Sequence, residues 1–342
     1  MNAAADPDGL RLLVERDARP AHRLSLARIA QAAGRIDPVF VDSPQFICEP
    51  LSQRLGLELT LKVETVNPIR CFKGRGTSWF VADRPDDGRT LVCASAGNFG
   101  QGLAHACRRA GRPVVVYAAR DANPLKVERM RALGAEVRLA GADFDAAKDA
   151  ARDWAAAHDA VLVVDGLAPA VSEGAGTIAR ELLARGAAFD AVVVPVGNGA
   201  LINGMARWIK AASPATRVIG VCSRGAPVMA EAFRAGAATA APPQTIADGI
   251  AVRVAIPEAV DDMRGLVDDV VCVDDAALVA AIRLVHHHAG LVVEPSGAAG
   301  LAALLAMPAL IPDLAARSVA TVLCGSNLTA EQHAAWLGAS TV

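Results

Sequence analysis

Lys73 is the residue in this 342-residue chain whose type and setting best suit covalent chemistry. It lies between Asn67 and Thr77, in Asn-Pro-Ile-Arg-Cys-Phe-Lys-Gly-Arg-Gly-Thr, and is the one lysine of that stretch. A lysine amine forms a Schiff base when it can shed its proton and when its loop admits a flat carbonyl compound. Gly74 and Gly76 leave room for a bulky group to lie against the backbone. Pro68 fixes the entry to the loop and biases Asn67 toward an extended conformation. Alone, such a lysine is more often a phosphate contact or a solvated charge, so the reading needs support from elsewhere in the chain.

Further stretches supply it. Val-Gly-Asn-Gly-Ala-Leu, from Val196 to Leu201, follows an apolar run and opens a helical one. Backbone N–H groups at such a junction, aided by the helix dipole, make an anion site. By itself this Gly-x-Gly is equally a dinucleotide-binding turn or a plain tight turn. Ser95 to Gly102, Ser-Ala-Gly-Asn-Phe-Gly-Gln-Gly, likewise joins a strand end to a helix start, where Ser95 and Asn98 could be ordinary caps. Leu-Cys-Gly-Ser-Asn, from Leu323 to Asn327, ends the last apolar strand, and Glu294 opens Glu-Pro-Ser-Gly-Ala.

In this order the motifs resemble the fold-type II pyridoxal-phosphate (PLP) enzymes, specifically the threonine/serine dehydratase group, from about Pro38 to Trp336. The resemblance implies that Lys73 holds PLP through a Schiff base and takes the substrate's α-proton once substrate has displaced it, with Phe72 beside the cofactor. Gly197, Asn198, Gly199, Ala200 and Leu201 match a phosphate cradle of four glycines in which Asn198 and Ala200 are substitutions. Asn tolerates positive φ at 198, and Ala200 must then be helical. Ser95, Ala96, Gly97, Asn98 and Gln101 match the loop that grips the substrate carboxylate, Asn98 also bonding the cofactor's ring oxygen. Cys324 matches a neutral residue facing the pyridine nitrogen. An Asp there would deepen the electron sink, whereas a thiol suits rapid β-elimination. Glu294 and Gly249, the latter in Ala-Asp-Gly-Ile-Ala, match residues lining the same cleft. Cys71 stands where the family usually has serine and is read as a space-filling change. Racemase relatives carry serine at the position of Ala96. Alanine cannot return a proton from the face opposite Lys73, so elimination is expected to exceed racemisation.

The implied reaction is β-elimination of an L-β-hydroxy amino acid such as threonine or serine to a 2-oxo acid and ammonia. The alternatives are β-replacement of the cysteine synthase type and a non-catalytic PLP-binding protein. The last motif ends near Asn327 and a short helical stretch, Ala330–Leu337, follows, so no C-terminal regulatory domain is expected.

These residues need elements to place them. Leu57, Leu59, Leu61 and Val63 alternate with Glu58, Thr60, Lys62 and Glu64, which predicts a half-buried strand before the Lys73 loop, and an apolar helical run starts at Trp79. Apolar strands are predicted at Thr90–Ser95, Pro113–Ala118, Glu136–Leu139, Ala160–Val164, Ala191–Val196, Arg217–Cys222 and Ser318–Leu323. Helices fall between them, with Asp143 and Asp274 as N-caps and starts near Gly174 and Ala200. That alternation predicts an α/β fold with parallel-rich sheets covered by helices on both faces. The resemblance refines it to two open sheets of the tryptophan synthase β type: a small domain, residues 76–159, inserted into a large PLP-binding domain of 1–75 and 160–342, the cofactor lying between them.

Composition narrows the partners. Hydrophobic residues make up 53% and aromatics 4%, so the core must be aliphatic. A formal charge of −2 argues against nucleic acid or an anionic membrane as partner, and the resemblance implies a small amino-acid substrate. Seven scattered cysteines, none at metal-ligand spacing, fit a reducing cytoplasm. Asp6 and Asp8 with no apolar stretch predict no secretion signal. His286, His287 and His288 point about 100° apart on a helix and cannot converge, so no metal is expected. A homodimer is expected from the family.

Overall fold

A computed structural model describes residues 13–338 apart from 16, 18, 20, 96, 121, 123, 238 and 311–316, and apart from the side chain at 185. Among the described residues, ten strands sort into two sheets. The larger runs β1 (Gln45–Ile47), β2 (Glu58–Val63), β10 (Ser318–Leu323), β7 (Ala191–Pro195), β8 (Arg217–Ser223) and β9 (Asp269–Val273). The smaller runs β5 (Glu136–Leu139), β4 (Val114–Ala118), β3 (Leu91–Ala94) and β6 (Val161–Leu162). Every pairing is parallel except β1 with β2. The larger sheet draws on residues before and after the smaller one, whose last strand ends at Leu162.

Parallel strands covered on both faces must be apolar on both, and β7 is buried throughout. Its side chains alternate between two cores. Val192 and Val194 join Ile178, Ile202 and Met205 from the helices Pro169–Leu182 and Ala200–Ala212. Ala191 and Val193 join Leu278, Ile282 and Leu301 from the helices Asp275–Ala289 and Pro295–Ala306. Asp143 and Asp274 cap their helices, accepting from the N–H groups of Ala146 and Ala277. No helix among the described residues is long and apolar enough to cross a membrane.

Three local expectations need correction. The helix predicted from Trp79 begins at Lys73, so the lysine occupies its first turn. The helix predicted near Gly174 starts at Pro169, since proline suits the first helical position. The alternation over residues 57–64 does not leave a solvated polar edge: Lys62 and Glu64 are each 1% exposed. The helices Lys73–Asp83 and Pro169–Leu182 bring Arg75 and Glu181 over that face and pair the charges.

Candidate active site

The loop before Lys73 is stitched to the end of β10. Asn67 accepts from the N–H groups of Ile69 and Cys71 and donates its amide to the carbonyls of Glu64 and Cys71, which closes a tight turn. The Arg70 backbone has a φ of 54° and its carbonyl accepts from Ser326 N–H at 2.9 Å. Cys71 bridges to Gly325, and Phe72 N–H donates to the Cys324 carbonyl at 3.0 Å. Two motifs more than 240 residues apart in sequence thus form one wall. Cys71 is fully buried, and burial together with the Glu294 carboxylate pushes its thiol well up. It packs as an uncharged core group beside Ile69 and Trp79.

Lys73 Nζ sits 4.6 Å from the Phe72 ring centre and 6.0 Å from that of Phe99, and donates to Asp165 Oδ2 at 2.6 Å. Asp165 follows β6. Its neighbour Gly166 has a φ of 84°, and a side chain there would collide with the carbonyl of Asn198. The lysine, the end of the smaller sheet and the Val196–Leu201 loop are therefore neighbours.

That loop leaves β7 and opens the helix Ala200–Ala212. Asn198 does not take the positive φ its type would tolerate; Gly199 does, at 93°, and Ala200 follows as the first helical residue. The N–H groups of a helix's first turn have no partner within the helix, so this turn can receive an anion. The Leu201 side chain packs into the large-sheet core, leaving its backbone to face such a group. A Cβ on Gly197 would come within 2.8 Å of the Gly249 carbonyl, and one on Gly249 within 2.6 Å of Ser296 Oγ and 3.4 Å of Glu294 Oε1. Gly197 thus lies against the Gly249 backbone, and Gly249 against the Ser296 and Glu294 side chains.

On the opposite wall, Ser95 Oγ accepts from Gly97 N–H at 3.2 Å and Gly100 N–H at 2.9 Å, capping the turn into the helix Asn98–Ala110. Asn98 donates to Glu294 Oε1 at 2.7 Å and accepts from the Asn327 amide at 2.8 Å, so both ends of its side chain are held by protein. Gly97 is extended, with Lys126 3.6 Å from where its Cβ would lie. Gln101 is 2% exposed and its amide nitrogen has no partner. Ala96 lies outside the described residues.

Glu294 is buried, and burial followed by the nearby Asp248 carboxylate raises its carboxyl to about 7. Asn327 N–H donates to its other oxygen at 2.9 Å. Lys126, on the helix Pro124–Ala132, pairs with Asp248, and Arg129 of the same helix donates to Asn327 Oδ1 at 2.8 Å. Cys324 is buried beside it. Desolvation, then the Glu294 charge, pushes the thiol well above its ordinary value, and it donates to the Ser296 carbonyl at 3.6 Å as a neutral group. Ser296 Oγ and Asp165 Oδ1 are buried with no partner. Unsatisfied buried polar atoms beside a glycine cradle and a lysine amine fit a bound polar aromatic with an anionic tail.

Asp165, Asn327 and Lys126 escaped the sequence reading as site residues. Asp165 had a faint signal, an Asp-Gly pair after an apolar strand, and Asn327 closed a motif already noted; Lys126 sits in an ordinary basic helix.

Comparison with known proteins gives the same placement. The family model described as pyridoxal-phosphate dependent enzyme matches residues 37–325. The chain is 36% identical over 281 residues to an L-threonine ammonia-lyase of Thermotoga maritima, covering 81% of this chain and 69% of that one. To a biosynthetic L-threonine dehydratase of Pasteurella multocida it is 34% identical over 281 residues, covering 81% of this chain and 55% of that one. It therefore spans about half the length of the latter. The structure of maize serine racemase superposes with a TM-score of 0.85 at 28% identity, covering 90% of this chain and 95% of that one. A match of this extent, over a lysine loop and glycine cradle already seen to be neighbours, makes the chain a member of the pyridoxal-phosphate dependent enzyme family, with the fold-type II architecture and kinship to the threonine and serine dehydratases.

Proposed function

We propose that this enzyme catalyses β-elimination of a small L-β-hydroxy amino acid, serine or threonine, to a 2-oxo acid and ammonia. The observation that carries the reading is the Lys73 amine, set between the end of β10, the Phe99 ring and Asp165 beside the glycine cradle. The names of the relatives, L-threonine ammonia-lyase and L-threonine dehydratase, support the same reaction class.

PLP, bound at the cradle, supplies an aldehyde that captures amines and an electron sink for the pair left when a Cα proton departs. The first-turn N–H groups of the helix Ala200–Ala212 hold its phosphate. Lys73 would hold the cofactor through Nζ, and the same amine is placed to accept the substrate's Cα proton. Backbone N–H groups of the Ser95–Gln101 loop orient the substrate carboxylate. Cys324 would offer the cofactor a neutral thiol, which disfavours prolonged charge on Cα and favours loss of the β-hydroxyl. Glu294 fixes Asn98 on the opposite side.

The smaller lobe, expected at residues 76–159, is read as extending to Leu162, because β6 pairs with β3 in the smaller sheet, the rest forming the larger PLP-binding lobe. All seven cysteines are unpaired and six are buried, which supports a reducing, cytoplasmic setting. A homodimer is part of the proposal, and light scattering reads it out.

Racemisation is the second reading, favoured by the likeness to maize serine racemase. The alanine at 96 weighs against it, since a methyl group cannot carry a proton to the second face. The test is to incubate the yellow holoenzyme with each amino acid and measure ammonia, 2-oxo acid and D-enantiomer. Borohydride reduction followed by peptide mapping locates the cofactor. Ammonia and 2-oxo acid from L-serine or L-threonine, with the label on Lys73, is the expected result. Inversion at Cα as fast as ammonia release, or cofactor trapped on another lysine, would overturn the assignment.

A further inference from the structure

Asp165 is the feature of the cleft that the proposed reaction leaves unexplained. Its Oδ2 lies 2.6 Å from Lys73 Nζ, each side chain being 13% exposed. Its Oδ1 is buried without a partner. β3 and β6 are parallel, with Leu91 opposite Val161 and Val92 opposite Leu162. Continuing that register sets Asp165 beside Ser95, at the mouth of the loop read as holding the substrate carboxylate. A lone carboxylate there, facing a second carboxylate and a phosphate, is repelled from both sides. Among the described residues, the cation paired with it is Lys73.

We propose that Asp165 is the counter-ion of the free Lys73 amine and competes with the cofactor for it. This inference rests on Lys73 being the residue that joins PLP. An ammonium has no lone pair. To bond to the aldehyde carbon it releases a proton to solvent, the N–C bond forms, and condensation expels water. Nζ then has fewer N–H groups to offer, and the short charge-assisted bond to Asp165 is lost or weakened. The pairing therefore opposes capture of the amine. It works in the other direction during turnover: a lysine displaced by substrate takes the Cα proton, becomes an ammonium again, and that charged product is the form Asp165 stabilises. A single carboxylate both loosens Lys73 from the cofactor and holds the proton it has taken.

The test is an equilibrium measurement on protein stripped of PLP, followed by PLP titration, with absorbance and borohydride-trapped mass as readouts. Asp165→Asn keeps the shape and removes the charge. It should lower the PLP concentration needed for half-maximal Lys73 trapping by about 10- to 100-fold, the scale of a charge-assisted hydrogen bond. Asp165→Glu should stay near the parent. The same Asn substitution is then made on Lys73→Ala, where PLP binds without a covalent link. If the effect runs through the lysine, it vanishes there. Trapping at Lys73 that is unchanged or weakened in Asp165→Asn overturns the proposal, as does a gain that persists in the Lys73→Ala background, which would mean direct repulsion of the phosphate. Trapping on a different lysine would instead sink the assignment of Lys73. Thermal melts of the stripped variants separate a misfolded protein from an informative one, and Asp165→Ser gives a second neutral variant if Asn misfolds.

Discussion

Arg75 stands two residues beyond Lys73 and is fully buried, so its replacement tests what holds the lysine's helix in place. It donates to Glu64 at 2.7 and 2.8 Å, to Glu181 at 2.5 and 2.8 Å, and to Ser43 and Thr177 at 3.1 Å each. Lys62 reaches Glu181 at 2.6 Å. Two cations thus face two carboxylates inside the protein. Arg75→Met keeps most of the volume and removes one cation, stranding one carboxylate. Breaking a buried pair from one side costs about 3–5 kcal/mol. A second route gives the same scale. Against its desolvation, Arg75 and Lys62 hold the Glu181 carboxyl down, from 4.5 to about 2. At 1.36 kcal/mol per unit this corresponds to about 3 kcal/mol. The sign follows from a depressed folded value: the contribution is complete above 4.5 and is lost as pH falls through about 2. In the variant the stranded carboxylate can take up a proton instead, so the deficit should shrink as pH falls from 8 toward 5. Urea unfolding followed by far-UV circular dichroism at both pH values measures it, with a thermal midpoint lower by roughly 10 °C at pH 8. A loss below about 1 kcal/mol, or an identical loss at pH 8 and pH 5, would show that the network does not behave as a buried charge balance.

Gly249→Val should weaken PLP binding about 10-fold or more with the melt little changed, because its Cβ would press on Ser296 and Glu294; parental PLP affinity by titration would place that loop away from the cofactor. Glu294→Gln should flatten the pH dependence of stability. The Glu294 carboxyl is raised from 4.5 to about 7, so the folded state binds the extra proton between those values and stability falls as pH rises through them. The variant, lacking that ionisation, should gain about 1–3 kcal/mol on its parent between pH 5 and pH 8, and parallel stability–pH curves would refute this. Ala96→Ser should raise the yield of D-enantiomer relative to ammonia in chiral chromatography of a partly consumed L-serine reaction, and an unchanged ratio would mean that position 96 does not reach Cα.

What the sequence settled by itself was local. The Lys73 junction, the glycine turn at 197–199, the caps at Asp143 and Asp274 and the apolar runs of the central strands depend on residues a few positions apart, and each occurs in the structure. Backbone sterics and side-chain period act over that range, so the order of residues is enough to read them. Element starts were less legible, because Pro169 can end a loop as readily as it can open a helix.

The tertiary structure decided which charges meet. Asp165 and Lys73 are 92 residues apart, and Asn98 and Glu294 are 196 apart. Their contacts exist because parallel crossovers place β6 beside β3, and β10 beside β2 and β7, with the loops emerging at the carboxyl ends of the strands. The polar face of β2 shows the reason most plainly. Thr60, Lys62 and Glu64 alternate with apolar residues as they would on a strand open to water, yet a second layer carrying Arg75 and Glu181 closes over Lys62 and Glu64. A charge reads the same in sequence whether water or an opposite charge will neutralise it. Only the chain's path through space supplies the partner that lets it be buried.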